Sequence, residues 1–576
     1  MAKGNPNQAQ ILKWIDEGTK TVDIAGLTGS ARAHFLADFF LEIETPCLVV
    51  LPKHKEAARF YREIQFFLPE LQSQGEPGER RLYDFPVYDI SPLKGISPHK
   101  DVISRRLQAL YVLTSHNKPI VVTSVEAALL RILPKEAMLG AMEYLQAGEE
   151  MDRERLVKRL EAGGYQRTSL VEEQGDYSVR GGVIDFYPPL YPDPVRLEFW
   201  GDQVESIRHF ESISQRSTGN LQEVILLPAN EIIMEQENIR RARSMGRLPG
   251  RLPLQMKEMT GFPGQEAWLN HFYESLGTLF DYFSRKGLLV LVDPLQIERE
   301  ANLFADRFEK EKEKCLRESE ERKTPFPELE GVLLSADEVK QVFEQYQRIH
   351  VTEVFIEKED GLSKSLRLTG PFRLEEDLEI RFAGKGRVSM APLAEKISKW
   401  LEMGSRVVLV CRTEQQAKRL REILANYKVK VDEMVNHWSD VSGGKGLSIC
   451  LGRLSEGFAW PEEGIHVVSE DEIFGPKRSL SKSRKRALEG GLSWSSFGQL
   501  KIGDLVVHQD HGIGRYGGLC KMEIEEKVND FVVIEYANND RLYLPADRIS
   551  ILQKYIGADE SNPLLDQLGG KSWDVA

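Results

Sequence analysis

Strand–helix–strand alternation near the N-terminus constrains this chain more than any other feature. Thr21–Ala25 reads as a short strand, Gly26–Ala33 as a turn, and His34–Glu42 as a helix. Cys47–Leu51 is a second strand and Lys55–Phe67 a second helix. Strands joined by helices pair in parallel, because the connection must carry the chain back to the starting end of the sheet. The pattern continues with the helix Ser104–Leu113, the apolar strand Pro119–Ser124 and a helix over Val125–Ile132. Thr123 and Ser124 end that strand and read as a cap for the next helix. An α/β multidomain protein follows, whose first unit begins with residues 1–144.

The turn after the first strand occupies the position of a phosphate-binding loop, G-x-x-x-x-G-K-[ST]. Gly26 opens the pattern, and Gly29 and Ser30 lie inside it. Ala31, Arg32 and Ala33 stand where the second Gly, the Lys and the Ser/Thr belong. Those residues supply close backbone approach, a charge for the β/γ-phosphates and a hydroxyl for Mg²⁺. Leu288–Asp293 has the form of a Walker-B strand, but Pro294 follows where a catalytic Glu usually sits. Phosphoryl transfer depends on placed charges and metal. The expectation is therefore a degenerate P-loop fold with no catalytic residues, no metal and no cofactor in this chain.

Near residue 148 the texture changes. Tyr177–Pro189, Val195–Asp202 and Val204–Phe210 alternate with period two, as hairpin-linked strands do. Residues 145–232 thus form an inserted α+β module. In Arg196-Leu197-Glu198-Phe199-Trp200, Leu197 and Phe199 share one face and Arg196, Glu198 and Trp200 the other. That polar face fits a protein-binding hot spot or a solvated, salt-bridged surface. Residues 233–345 return to the first unit, with an Arg-Pro-Gly-rich loop near 246–264. They contain one long charged helix, Gln296–Lys323, ended by Pro325 and Pro327. Residues 346–474 make a second α/β unit. Its helices are Leu393–Met403 and Glu414–Asn426, and its strands Arg406–Val410, Leu447–Leu451 and His466–Ser469.

Residues 475–497 are a basic linker. Its segment 477–486 is either a weak DNA contact or a solvated spacer. Residues 498–556 then show short β-rich runs, Val506–Tyr516, Asp530–Tyr536 and Arg541–Pro545, with a turn at Asn538-Asn539-Asp540. They predict a small antiparallel all-β barrel that offers a strand edge or face to a partner. Residues 557–576 begin a further linker.

Composition narrows the function. A net charge of −13 over 576 residues excludes a surface that grips nucleic acid throughout, so any such contact is local. Cys47, Cys315, Cys411, Cys450 and Cys520 are scattered, which suits a reducing compartment and no disulfide frame. His508 and His511 lack a third metal ligand nearby. No apolar run reaches the roughly 18 residues of a membrane span, and the N-terminus has no export signal, so the expected location is cytoplasmic.

The chain resembles the N-terminal half of the bacterial transcription-repair coupling factor family. Arg180–Pro188 with Arg196–Asp202 and Ser214–Ser217 is similar to the domain that this family shares with the excision-repair protein UvrB. Gly26–Ala33 looks like the UvrB phosphate loop in degraded form, and Val506–Tyr516 with Tyr536–Pro545 like the CarD-type RNA polymerase interaction domain. The resemblance implies UvrA binding through Arg180, Arg196 and Trp200, the last where Phe is a common occupant. It implies binding to the RNA polymerase β subunit through Leu519, Cys520, Lys521, Met522 and Tyr543. It also implies that an ATP-dependent DNA translocase follows residue 576, where most DNA contact would lie. The implied role is an adaptor in transcription-coupled nucleotide excision repair that joins stalled polymerase to UvrA. The alternatives are a DNA-stimulated UvrB-like NTPase or helicase and a CarD-like transcription regulator.

Overall fold

The computed structural model describes residues 6–72, 80–115, 118–245, 261–353, 363–368, 374, 390–474, 502–508, 512–524, 527–537, 540–545 and 552–554. The first unit is a seven-stranded sheet, ordered Ser363–Arg367, Thr21–Ala25, Gln347–Thr352, Leu288–Val292, Cys47–Leu51, Ile120–Ser124, Leu82–Phe85. Every pair is parallel. The three strands Leu288–Val292, Cys47–Leu51 and Ile120–Ser124 are buried at every residue. Continuous Val/Ile/Leu runs are what strands covered by helices on both faces require.

Two strands of this sheet, Gln347–Thr352 and Ser363–Arg367, lie past residue 345, where the sequence places the second unit. They flank Thr21–Ala25, so the first sheet closes only after the chain has returned from the module. Gln347–Thr352 carries polar residues at four of its six positions, and an apolar-run criterion passes over it. Helix limits shift as well. The helix after the loop begins at Ala31, which puts Arg32 and Ala33 in its first turn and not in the loop. The helix over Val125–Ile132 is a single turn, Val125–Ala128, with Ser124 Oγ accepting from the Ala127 amide at 3.3 Å. The long helix runs Pro294–Arg322. It starts on a proline, whose missing N–H is no loss at a first turn, and stops at left-handed Lys323, ahead of both prolines.

The module inserts a six-stranded sheet: Gln166–Arg167, Asp176–Arg180, Val183–Phe186, Val195–Trp200, Gln203–Phe210 and Ser217–Leu221 in spatial order. All pairs are antiparallel except the first. The helix Arg153–Ala162, capped by Asp152, packs Leu156 and Leu160 against Ile184, Phe186, Leu197 and Ile207. At the root of the module, Arg106 and Glu231 form a fully buried ion pair at 2.6 Å.

The second α/β unit has a five-stranded sheet: Glu433–Val435, Gly446–Leu451, Arg406–Cys411, Ile465–Ser469 and Phe458–Trp460 in order, only the last pair antiparallel. Val408, Phe458, Trp460 and Val467 share one buried cluster with Leu36, Phe39 and Ile64 of the first unit. The two units are thus joined by a common core. At the C-terminal side five antiparallel strands are ordered Arg541–Pro545, Lys527–Glu535, Gly512–Ile524, Leu505–His508, Leu552–Lys554. Among the described residues the outer two strands are not paired with each other. No helix among the described residues is long and apolar enough to cross a membrane.

Candidate protein-docking face and phosphate-loop region

The solvent face of the module is built by strand alternation. Leu197 and Phe199 point into the module core, while Arg196, Glu198 and Trp200 point outward. Asp185 stands opposite Arg196 on the neighbouring strand. Its carboxylate is fully buried and binds Arg196 through two contacts, at 2.7 and 2.9 Å, and Arg180 through a third. Hydrogen bonding to Asp185 raises the Arg196 pKa. The Arg196 guanidinium also lies 4.7 Å from the centre of the Phe210 ring. One acid therefore locks two arginines in place; Arg196 Nη1 also donates to Gln215 O at 3.4 Å, and Arg180, the more exposed of the two, is the one open to a planar anionic partner. A second lattice beside it joins Glu198 to Ser206 at 2.6 Å and to Arg208 at 2.9 Å.

Trp200 differs from these neighbours in being 78% exposed. It ends its strand at the hairpin Gly201-Asp202, where Gly201 takes a φ of 62°. Arg180 ends its own strand at the hairpin Gly181-Gly182, and the Phe199 amide donates to Gly182 O at 2.8 Å, so both tips share one end of the sheet. Arg180, Arg196 and Trp200 thus lie on one face. Sequence reasoning did not single out Asp185, the residue that organises the arginines, or Ile213, which is 91% exposed in the turn between Phe210 and Ser217. Asp185 is an acid within the otherwise apolar run Val183–Phe186, which was the available signal; its pairing with Arg196 is set by strand register.

The phosphate-loop region has different chemistry. Arg32 Nη1 meets Asp293 at 2.8 Å, Nη2 meets Glu353 at 3.0 Å, and Nε donates to Leu27 O at 3.0 Å. The Walker-like Asp293 is thereby tied to the residue at the Lys position. Ser30 Oγ does not cap the helix but donates to Glu63 at 2.8 Å, and Ser455 donates to the same carboxylate. Burial raises the Glu63 pKa. The Ala31 and Arg32 amides donate back to Thr28 and Gly29 carbonyls. A Cβ on Gly26, φ 98°, would stand 2.1 Å from Leu368 O, and one on Gly29 would stand 2.8 Å from a Glu456 oxygen. The Leu368 carbonyl thus closes on Gly26 and the Glu456 carboxylate on Gly29. Ala33 is buried and apolar.

Of the residues implied for polymerase contact, Leu519, Cys520, Lys521 and Met522 lie on the strand Gly512–Ile524, opposite Val532, Phe531, Asp530 and Asn529. Tyr543 lies opposite Val533 on the next strand. Cys520 is half-buried; the side chains of the other four are outside the described residues. So are 477–486, His511 and residues 555–576. Among the described residues no cluster of His, Cys, Asp or Glu could hold a metal ion.

Comparison with known proteins matches three stretches to family models: a UvrB interaction domain over residues 144–232, the D3 domain of MFD over 401–473, and a CarD-like/TRCF RID domain over 500–556. Fold and matches define a multidomain protein in which a UvrB interaction domain and a CarD-like domain are carried on an α/β body. The chain is similar to curated transcription-repair-coupling factors. It is 33% identical to that of Myxococcus xanthus over 99% of its own length and 48% of the relative's. The Bacillus subtilis protein is 28% identical over 98% and 47%, and the Escherichia coli protein 26% over 96% and 46%. The chain spans about half the length of the curated relatives it matches.

Proposed function

We propose that this chain is an adaptor of transcription-coupled nucleotide excision repair, joining RNA polymerase to recruitment of UvrA. The observation that carries the reading is the module's outer face. Trp200 is exposed beside Arg180 and Arg196, both held by buried Asp185, within the stretch matched to the UvrB interaction domain. An exposed Trp flanked by fixed arginines has hot-spot composition. Titration of UvrA against the chain tests it: micromolar or tighter binding that Arg196→Ala and Trp200→Ala each weaken is expected, and retention of full affinity by both variants would refute it.

The polymerase contact lies on the CarD-like strands around Leu519–Met522 and Tyr543. Met522→Glu should weaken binding to the β subunit; unchanged affinity would move the contact elsewhere. The phosphate-loop region does not turn over nucleotide in this reading. Three carboxylates, Asp293, Glu353 and Glu456, crowd the place where phosphates need positive charge, and no hydroxyl is available at Ala33 for Mg²⁺. ATP hydrolysis stimulated by DNA would favour the UvrB-like NTPase instead. The segment 477–486 is proposed to make at most a weak, salt-sensitive DNA contact. A reducing, cytoplasmic setting fits the five free cysteines.

A further inference from the structure

A cleft separates the helix His54–Phe67 from the strand ends of the second α/β unit, and it combines positive charge with aromatic surface. It holds about 290 Å³, at the small end of small-molecule sites. Arg62 and Phe66 form one wall, and His437, Trp438 and Arg453 the other. Gly452 is the floor: a Cβ there would stand 2.3 Å from the Phe66 ring, so only a glycine lets the strand lie against it. The Phe66 and Trp438 rings are 5.6 Å apart and inclined at 57°. Phe67 backs Trp438 edge-on at 4.9 Å, which fixes the indole without covering its outer side.

Among the described residues no acid pairs with the charge in this cleft. Arg62 and Arg453 are both exposed, and neither forms an ion pair with another described residue. Desolvation first, and the charge of Arg453 second, push the Arg62 pKa down. The nearest acids are engaged elsewhere. Glu63 faces inward to Ser30 and Ser455, and Asp84 is held by Arg105 at 2.7 Å. Glu456 is taken by Arg59 at 3.0 Å. Two guanidiniums lining one cleft, with no ion-pair partner among the described residues, suit an anion, and the rings beside them suit a flat, polarisable group.

We propose that the cleft binds a nucleotide, with Arg62 and Arg453 on its phosphate and its base against Phe66 and Trp438. Guanidinium–phosphate pairing with base stacking is the chemistry by which sequence-tolerant nucleic-acid sites work. The site is separate from the loop at Gly26–Ser30, whose side chains are already tied to carboxylates. A free nucleotide and one unit of a single strand share this chemistry.

Fluorescence anisotropy of a labelled short oligothymidine, with AMP and inorganic phosphate as competitors, tests the proposal on the whole chain. The expected result is saturable binding of the oligothymidine or of AMP that Arg62→Glu/Arg453→Glu weakens by at least about tenfold. Phe66→Leu should weaken it several-fold. Oligothymidine binding that AMP does not displace identifies a strand; displacement by AMP identifies a free nucleotide. Thermal melting of the double variant checks the fold, and the gentler Arg453→Gln reads the same loss should the double reversal misfold. No binding of either probe, binding unaffected by the variants, or displacement by inorganic phosphate as effective as by AMP overturns the proposal.

Discussion

Asp185 shows how much a single carboxylate can organise. It has no exposure, and its cost of burial is offset by two guanidiniums. Asp185→Asn keeps the shape but leaves both arginines without a counter-charge. Stability should fall by about 2–4 kcal/mol in chemical denaturation, and UvrA affinity should fall with it because the arginines are no longer held. Trp200→Ala is expected to separate the two effects. An indole that is 78% exposed contributes little to the core, so stability should change by about 0.5 kcal/mol or less while UvrA binding weakens about thirtyfold. Loss of folding in this variant would show that the indole is structural.

Glu266 carries a pH prediction at the same scale. Burial pushes its carboxyl up to about 7, against hydrogen bonds from Ser97 and Asn230 and with Glu231 nearby. The unfolded group titrates near 4.5. Since the folded value is the higher one, the contribution of this group is fully present below pH 4.5 and is lost as pH rises through about 7. Glu266→Gln should therefore stabilise the protein at pH 8 by on the order of 3 kcal/mol and have no effect below the unfolded value. Urea denaturation across that range reads the difference.

Among the elements, the loop and helix after the first strand illustrate what pattern reading reaches and where it stops. The strand limits Thr21–Ala25 and Cys47–Leu51 and the altered motif residues were legible, since apolar runs and glycines are local signals. The partners of Arg32 were not, because Asp293 is 261 residues away and Glu353 belongs to a turn with no motif. The same limit hid Asp185, whose role depends on strand register. It also hid Gln347–Thr352, a polar-edged strand that reads as loop by apolar content alone. Restoring the motif with Ala31→Gly, Arg32→Lys and Ala33→Thr should leave ATP hydrolysis at background. The Leu368 carbonyl and the Glu456 carboxylate still press on the loop. Turnover by this triple variant would show that side chains alone had silenced the site.

For the whole molecule, the cluster shared by the two α/β units is the main consequence of assembly. Trp460, from the second unit, is 2% exposed and packs at 6.1 Å from the Phe35 ring of the first. Trp460→Ala should cost about 3–5 kcal/mol and lower a single melting transition common to both units. The module, with its own core, should keep its transition. Calorimetry resolves the two, and separate shifts of the α/β units would show that the shared cluster does not couple them.

Local order in the chain was enough to reveal parallel α/β units, a β-rich module, and the out-facing Arg196 and Trp200. These follow from side-chain period and residue type, which covalent neighbours impose. Tertiary structure alone decided which acid holds the arginines, what fills the loop, which late strands complete the first sheet, and that two units share one core. Those are pairings between residues far apart in sequence, set only when the chain returns on itself and buried polar groups must find partners.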